Sequence, residues 1–337
     1  MKTVAESPTE INHPLEIDTD IDSEAWEAFW QDAANGTLFH SLKFMSYHPT
    51  DRFKQHHVGF RHKGNLVGIF LGAERDEDRL KTWVSHPGAS YGGPAWSRKL
   101  KYHQLESLIG ALVEYARENG FKRIKMTPPP VIYNPDPEQS LDFALKRHGF
   151  NINRWELTQA VKLDFDEDLL LDQFRNKTRT AFRRAINEGL TFRIIEKPSQ
   201  AEYDRFWEIL VENRAGLGVV PAHNREEIEQ LHNLVPDKLM MAAIEHKGRM
   251  VTVIWNFLCN RYTVLEFYMA HIAEAQILRP VSFLTYNTLL WAKRRGFKWL
   301  DFGISSVLGD PTWGLMKFKE NFDARHFLRV TYQLDLE

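Results

Sequence analysis

Cysteine is almost missing from this sequence: Cys259 is the single one in 337 residues, which excludes an internal disulfide. An excess of one charge is missing too. The 43 Lys and Arg against 45 Asp and Glu leave a formal net charge of −2, so no whole-molecule field draws the chain to nucleic acid. DNA is therefore not an expected partner, and contact with RNA would have to rest on a local patch. No apolar run approaches the roughly 18 residues of a membrane span. The first 25 residues, Met1 to Ala25, are acidic and polar without an apolar segment, which excludes a signal peptide and predicts a cytoplasmic chain. The Walker loop and the dinucleotide fingerprint are absent. The 14 histidines are scattered without the spacing of a metal site, so no metal is expected. Cys259, beside the turn Asn260-Arg261, reads as a strand residue rather than a nucleophile.

What is present is ordinary in composition and repeated in order. Hydrophobic residues make up 43% and charged residues 26%, which places the chain among globular proteins and sets disordered and fibrous classes aside. The length suits about two domains. Residues 57–130 return in altered spelling at 239–305: His62-Lys63-Gly64 becomes His246-Lys247-Gly248, and Ala116 to Lys122 becomes Ala292 to Lys298. A spacing near 180 residues is far beyond that of solenoids and propellers, which repeat every 20 to 50 or so residues. The chain is a duplicated domain.

Each half reads as three antiparallel strands, a helix, a strand, a helix and a strand. In the first half, Asp22-Ser23 cap a helix over Glu24 to Asn35, and strands follow at His57 to His62, Leu66 to Ala73 and Leu80 to Ser85. A helix over Tyr102 to Glu118 ends at Gly120, a strand covers Phe121 to Met126, a helix Asp136 to Arg147, and a long strand Trp155 to Phe165. The second half opens on a basic helix over Asp168 to Glu188. Helices at Gln200 to Ala215 and Arg225 to Leu234 precede strands at Lys238 to Glu245, Arg249 to Leu258 and Tyr262 to Ala270. The helix Ser282 to Arg295, the strand Trp299 to Gly303, a last helix capped by Asp310-Pro311-Thr312 and the strand His326 to Leu336 complete it. This order predicts an α+β (mixed α/β) chain of two tandem domains. The expected division is a tail over 1–21, a first domain over 22–165 and a second over 166–337. The richness in Trp and Phe is expected to be core.

The element order resembles the GNAT acyltransferase fold, in which two strands part at their ends and the gap holds an acyl donor. Four stretches narrow the resemblance. Leu38-Phe39-His40-Ser41-Leu42-Lys43-Phe44, the loop Ser90-Tyr91-Gly92-Gly93-Pro94, the basic run Lys177 to Ala185, and Asp301-Phe302-Gly303 followed by Gly314 to Phe322 together resemble the Fem family. These are tandem-GNAT enzymes that add amino acids to peptidoglycan precursors, with wider FemAB-like relatives. Two family features have no counterpart: the paired-helix arm of the cell-wall members, and a glycine in the turn Ala273 to Ser282, where GNAT enzymes hold pyrophosphate.

The residues supply a candidate site. Arg175, Arg179 and Arg183 are spaced by four and stack on one helix face, a spacing at which like charges repel. Either they face the acidic stretch Asp164 to Asp168, or they clamp phosphate through the planar guanidinium fork. The resemblance implies the clamp for Arg179 and Arg183. It also implies that Lys319, with Phe318, lies at the donor site, where an ammonium offsets negative charge on an oxyanion. Glu266, Tyr268 and Asp301, at the strand ends, are the candidates to handle the amine's proton. Glu266 and Tyr268 share a face by strand alternation, and Tyr268 also reads as a core aromatic. Lys43 and Tyr91 are the expected acceptor contacts on the first-domain side.

The expected function is transfer of an acyl or aminoacyl group onto an amine of a cell-envelope precursor, peptidoglycan or polysaccharide. No cofactor is expected to stay bound, and the donor is aminoacyl-tRNA or acyl-CoA. One alternative is an acyl-CoA dependent N-acetyltransferase of a sugar or small amine. The other is a non-catalytic protein that binds anionic lipid or RNA. Transfer RNA and a peripheral membrane contact stay open as partners.

Overall fold

The computed structural model describes residues 15–337. The first half runs β1 (Glu16–Asp18), α1 (Ser23–Asp32), α2 (Leu42–Met45), β2 (Lys54–Gln55), β3 (Val58–His62), β4 (Asn65–Phe70), β5 (Ala73–Glu77) and β6 (Leu80–Ser85). It continues with β7 (Pro94–Trp96), α3 (Tyr102–Glu118), β8 (Arg123–Met126), α4 (Ser140–Arg147) and β9 (Asn151–Lys162). The second half runs α5 (Leu170–Gln173), α6 (Asn176–Asn187), β10 (Thr191–Ile195), α7 (Gln200–Gly216), α8 (Arg225–Leu234), β11 (Leu239–His246), β12 (Arg249–Leu258) and β13 (Thr263–His271). Then come α9 (Pro280–Arg294), β14 (Trp299–Ile304), β15 (Ser306–Val307), β16 (Asp310–Pro311), α10 (Trp313–Glu320) and β17 (Arg325–Asp335).

The duplication is visible in backbone angles. Lys63-Gly64 turns β3 into β4 with φ of 51° and 75°, and Lys247-Gly248 turns β11 into β12 with φ of 51° and 72°. Two consecutive positive φ values are what a two-residue hairpin of the favoured twist requires. In each half a long helix then crosses to a parallel strand: β6 pairs with β8 after α3, and β13 with β14 after α9.

Eleven strands form one sheet in the order β10-β11-β12-β13-β14-β9-β17-β8-β6-β5-β2, and β1-β3-β4-β7 form a second. The halves exchange their last strands. β9, from the first half, pairs with β14 of the second, while β17 pairs with β9 and with β8 of the first. The expected strand Leu66 to Ala73 is divided, because the chain bends at Leu71-Gly72 and passes from one sheet to the other. A Cβ at Gly72 would lie 2.3 Å from Trp83 Nε1, so only glycine lets the bend sit against that indole.

The expected helix over Asp168 to Glu188 is also broken. Phe174 and Arg175 adopt extended ψ of 146° and 148°, which separates α5 from α6 and makes Arg175 a capping position instead of the first step of an arginine ladder. Asp310-Pro311-Thr312 does not cap by side chain: Asp310 and Pro311 pair with Ser306 and Val307 as a small ladder.

The main apolar core spans both halves, with Leu38, Phe39 and Tyr91 packed in one cluster with Trp255 and Phe257. Phe39 meets Phe257 edge to face at 5.9 Å. Each such ring removed from water stabilises the fold by about 1.5–3 kcal/mol. Trp26, Trp83 and Trp255 are fully buried, whereas Trp155 is 51% exposed and Trp313 75% exposed, so aromatic richness is core for the first three and not for the last two. No helix among the described residues is long and apolar enough to cross a membrane.

Candidate active site

β13 and β14 pair over only three positions, Thr263↔Trp299, Val264↔Leu300 and Leu265↔Asp301, and then part. Two local features open the gap. Gly303 sits at φ 74° and turns β14 aside, and the β12–β13 ladder steps from Asn256↔Glu266 to Trp255↔Tyr268, leaving Phe267 as a bulge. A bulge frees backbone groups from the ladder and re-aims its side chains. The gap is a cavity of about 760 Å³ with Glu266, Phe267, Gly303, Phe318, Lys319 and Arg214 among its lining residues.

Lys319 is the unusual group there. It projects from α10 yet is only 4% exposed. Its Nζ donates to the carbonyl oxygens of Gly303 at 2.7 Å and Ile304 at 2.9 Å, leaving a third ammonium proton free of these carbonyls. Burial pulls its pKa down to about 8, against the opposing pull of the Asp301 and Glu266 charges. Glu266 is half-buried at the cavity wall, with Oε2 buried and unpartnered among the described residues. Burial raises its pKa to about 8, the nearby Lys319 opposing and Asp301 reinforcing. A carboxyl and an ammonium that both change charge near pH 8 can exchange a proton with a substrate amine.

Asp301 is placed otherwise. Its carboxylate accepts from Tyr133 Oη at 2.8 Å, Tyr91 Oη at 3.2 Å, Thr158 Oγ1 at 2.5 Å and the Gly303 amide at 2.8 Å. Tyr91, Tyr133 and Thr158 come from the first half, so this buried carboxylate ties the halves together and braces the turn at Gly303. It is not among the residues lining the cavity. Tyr268 is turned away as well. The bulge at Phe267 overturns the shared face expected from simple alternation. The Tyr268 hydroxyl accepts from the His223 amide at 3.0 Å, lies 3.0 Å from His223 Nδ1, and the ring stacks on Trp255.

Tyr91 and Phe318 do line the cavity. The other expected binding residues do not. Lys43 borders a separate surface hollow beside Glu24, Glu27 and Asp32 of α1. Arg179 borders a third, with Arg175, Lys177 and Lys317; its guanidinium donates to the Asp172 carbonyl and to Asn176 Oδ1. Arg183 is exposed on α6. The basic helix does not pair with the stretch 164–168, where Asp164 meets Lys162 and Glu167 meets Arg294.

Sequence reasoning missed two cations of the cavity. Arg329, from the exchanged strand β17, pairs with Glu156 and donates to the Ser90 carbonyl at 2.8 Å. Arg214, in the last turn of α7, bonds Asn213 Oδ1 at 2.8 Å and lies 5.7 Å from the Tyr268 ring, and no carboxylate is within ion-pair reach of it among the described residues. A lone arginine ahead of Gly216-Leu217-Gly218 carries no periodic signal. The loop also spells Gly88-Ala89-Ser90-Tyr91-Gly92, the spacing of a nucleophile elbow. That motif needs a strand-to-helix turn, and here the loop joins β6 to β7. Cys259 is fully buried, and burial raises its thiol pKa well above the ordinary value.

Comparison with known proteins agrees with this geometry. Residues 172–320 match the family model described as Acetyltransferase (GNAT) domain. The chain is similar in structure to FemX, with 14% identity, a TM-score of 0.73, and 95% of this chain and 97% of that one covered. It is also similar to L-PGS from Bacillus licheniformis (14% identity, TM-score 0.61, 94% and 93% covered). A tandem GNAT protein from the clavulanic acid biosynthesis pathway matches at 12% identity, TM-score 0.55, with 95% and 98% covered. No curated protein matches the sequence. The parted strands, the cavity between them and the domain match define the class: residues 172–320 form a GNAT domain, the domain of an acyltransferase enzyme. Over its whole length the chain has the fold of tandem GNAT-like proteins, FemX among them, built as two such units.

Proposed function

We propose that the enzyme transfers an aminoacyl or acyl group onto an amine of a cell-envelope precursor by direct attack in the cleft between β13 and β14. The observation that carries this reading is the pair that lines that cleft, buried Lys319 and half-buried Glu266, each with its pKa moved to about 8. The amine nitrogen forms a bond to the donor carbonyl carbon. The Lys319 ammonium offsets the charge that develops on the carbonyl oxygen. Glu266, as carboxylate, takes the proton from nitrogen. The donor's C–O or C–S bond then breaks, and the leaving oxygen or sulfur takes up a proton. No covalent enzyme intermediate is required.

The donor lies on the side of residues 166–337, and residues 22–165 with the inter-domain wall hold the acceptor. Arg214, uncompensated in the cleft, suits an anionic group on the substrate. The likeness to FemX and to a putative lysylphosphatidylglycerol synthetase favours an aminoacyl donor over a simple acyl thioester. Lys43 and the Arg175–Arg179 hollow lie outside the cleft, where they suit more distant phosphates of a long substrate.

The test is calorimetry and transfer assays on the purified protein with acetyl-coenzyme A, aminoacyl-tRNA and a nucleotide-linked muropeptide. Binding of the tRNA or muropeptide, with mass added to the amine, is the expected result. Saturable binding of acetyl-coenzyme A alone, with acetyl transfer to a small amine, overturns it.

A further inference from the structure

Exposed apolar residues gather at the rim of the cleft, several of them in turns. On one side α7 enters the cavity wall at Arg214 and Leu217 and runs on into Val219-Val220; Val220 is 86% exposed. On the other side Ile304 and Leu315 line the cavity, and the chain between them carries Val307 and Leu308 on the β15–β16 turn, then Trp313. Leu308 is 73% exposed and Trp313 75%. Leu308 also adopts φ 53°, a conformation that glycine or asparagine enters readily and a branched aliphatic residue does not. The backbone is held in an unfavourable region at the one place where its side chain meets water.

Charge is distributed the opposite way. Residues 215–222 carry no ionisable side chain and residues 304–316 only Asp310, whereas the cavity behind them holds Arg214, with no carboxylate in ion-pair reach among the described residues, beside Lys319 with Glu266 and Arg329 with its partner Glu156. Two apolar tips outside a cationic recess match an amphiphilic surface: acyl chains take the tips and phosphate faces the cations. Tryptophan beside exposed aliphatic residues is the composition that settles at a lipid–water boundary. A flat protein partner would instead be met by a continuous face.

We propose that this rim docks the enzyme on an anionic lipid bilayer, with Val220, Leu308 and Trp313 inserted at the interface and the cleft opening onto the head groups. The proposal goes beyond the reaction assigned above and is independent of the donor. Its test is flotation of the full chain with vesicles of phosphatidylcholine mixed with phosphatidylglycerol, beside pure phosphatidylcholine vesicles and a competition with inorganic phosphate. Neither Val220 nor Leu308 belongs to the catalytic machinery. The doubly substituted Val220→Asp, Leu308→Asp protein is expected to lose at least about tenfold in vesicle affinity, the loss of two buried aliphatic side chains. Its thermal midpoint and its transfer to a soluble amine should stay unchanged, and Ile186→Asp, on α6, should bind as the parent does. A blue shift of emission on vesicles, missing in Trp313→Phe, is the companion readout. Failure of the parent to float, equal binding by the double variant, displacement by inorganic phosphate alone, or a rim that proves to be the contact between two copies in solution would each overturn the proposal. Transfer to a soluble amine is read separately, so loss of docking leaves the reaction itself standing.

Discussion

The two halves carry the same crossover, but only one of them has an open cleft. In the first half β6 and β8 pair over four positions, Thr82↔Arg123 to Ser85↔Met126, and the space beyond them is filled by the chain's own loop. Gly92 donates its amide to the Thr127 carbonyl at 2.9 Å, and Gly93 to Ser85 Oγ at 2.8 Å. In the second half the corresponding space is the cavity at Glu266 and Lys319. The plug does more than close the first gap. Its Tyr91 lines the second cavity and donates to Asp301, and its Ser90 carbonyl holds Arg329 there. One copy has become the wall of the other's site, which is how a duplicated fold can specialise without losing either core.

If catalysis belongs to the second cleft alone, the largest effect should follow from Lys319→Ala. We expect the rate of acyl transfer to fall by about 10²–10³, the usual cost of removing one preorganised donor from a developing oxyanion. Far-ultraviolet circular dichroism and the thermal midpoint should change little, since deleting a buried ammonium also removes its desolvation cost. Steady-state rates on the donor that binds will decide. A loss below threefold would mean that the charge is structural and that the two gaps differ less than they look.

A smaller effect should come from the plug. A Cβ at Gly92 would lie 2.5 Å from both the Ser85 carbonyl carbon and its oxygen, which are backbone atoms that cannot swing aside. Gly92→Ala should therefore cost about 1–3 kcal/mol of stability, as overpacking does. Denaturant titration measures this. The transfer rate should fall too, because the displaced loop carries Tyr91 and Ser90. An unchanged midpoint would show a loose plug and a first gap still able to open.

Much of this difference was legible in the sequence, and the unread part has definite causes. The hairpins at Lys63-Gly64 and Lys247-Gly248, the helix Tyr102–Glu118 and the strand Arg249–Leu258 followed from local turn chemistry and periodicity, which act within a few residues. Lys319 was placed at the cleft by the family resemblance of the motif around it and Glu266 by the strand order, which offered Tyr268 and Asp301 equally; Lys319 and Glu266 line the cavity and the other two do not. The exchange of β9 and β17 could not be read, because the pattern of a strand tells which face is buried and not which neighbour it joins. Tyr268 was turned by a bulge whose cause lies in the partner strand β12. The helix break at Phe174-Arg175 has neither Pro nor Gly to announce it; it is fixed by tertiary contacts, with the Arg175 amide donating to the Asn321 carbonyl at 3.0 Å.

The finest distinction between the two gaps is a single carboxyl: β6 carries none, whereas β13 carries Glu266. Its pKa is raised from 4.5 to about 8, so the native state holds this proton more tightly than the unfolded chain does. The stabilisation is complete below about pH 4.5 and is lost as pH rises through 8. Lys319 moves the other way: with its pKa lowered from 10.5 to about 8, its cost is complete at low pH and is relieved between about 8 and 10.5. Glu266→Gln keeps the shape and removes only the first contribution. Its thermal midpoint relative to the parent should therefore rise by a few degrees between pH 5 and pH 9, followed by scanning calorimetry in matched buffers. In the same variant the rising limb of the rate, near pH 8 in the parent, should disappear. A uniform loss of rate at every pH would mean that Glu266 positions the amine without taking its proton, and the second gap would then differ from the first in its shape and its lysine alone.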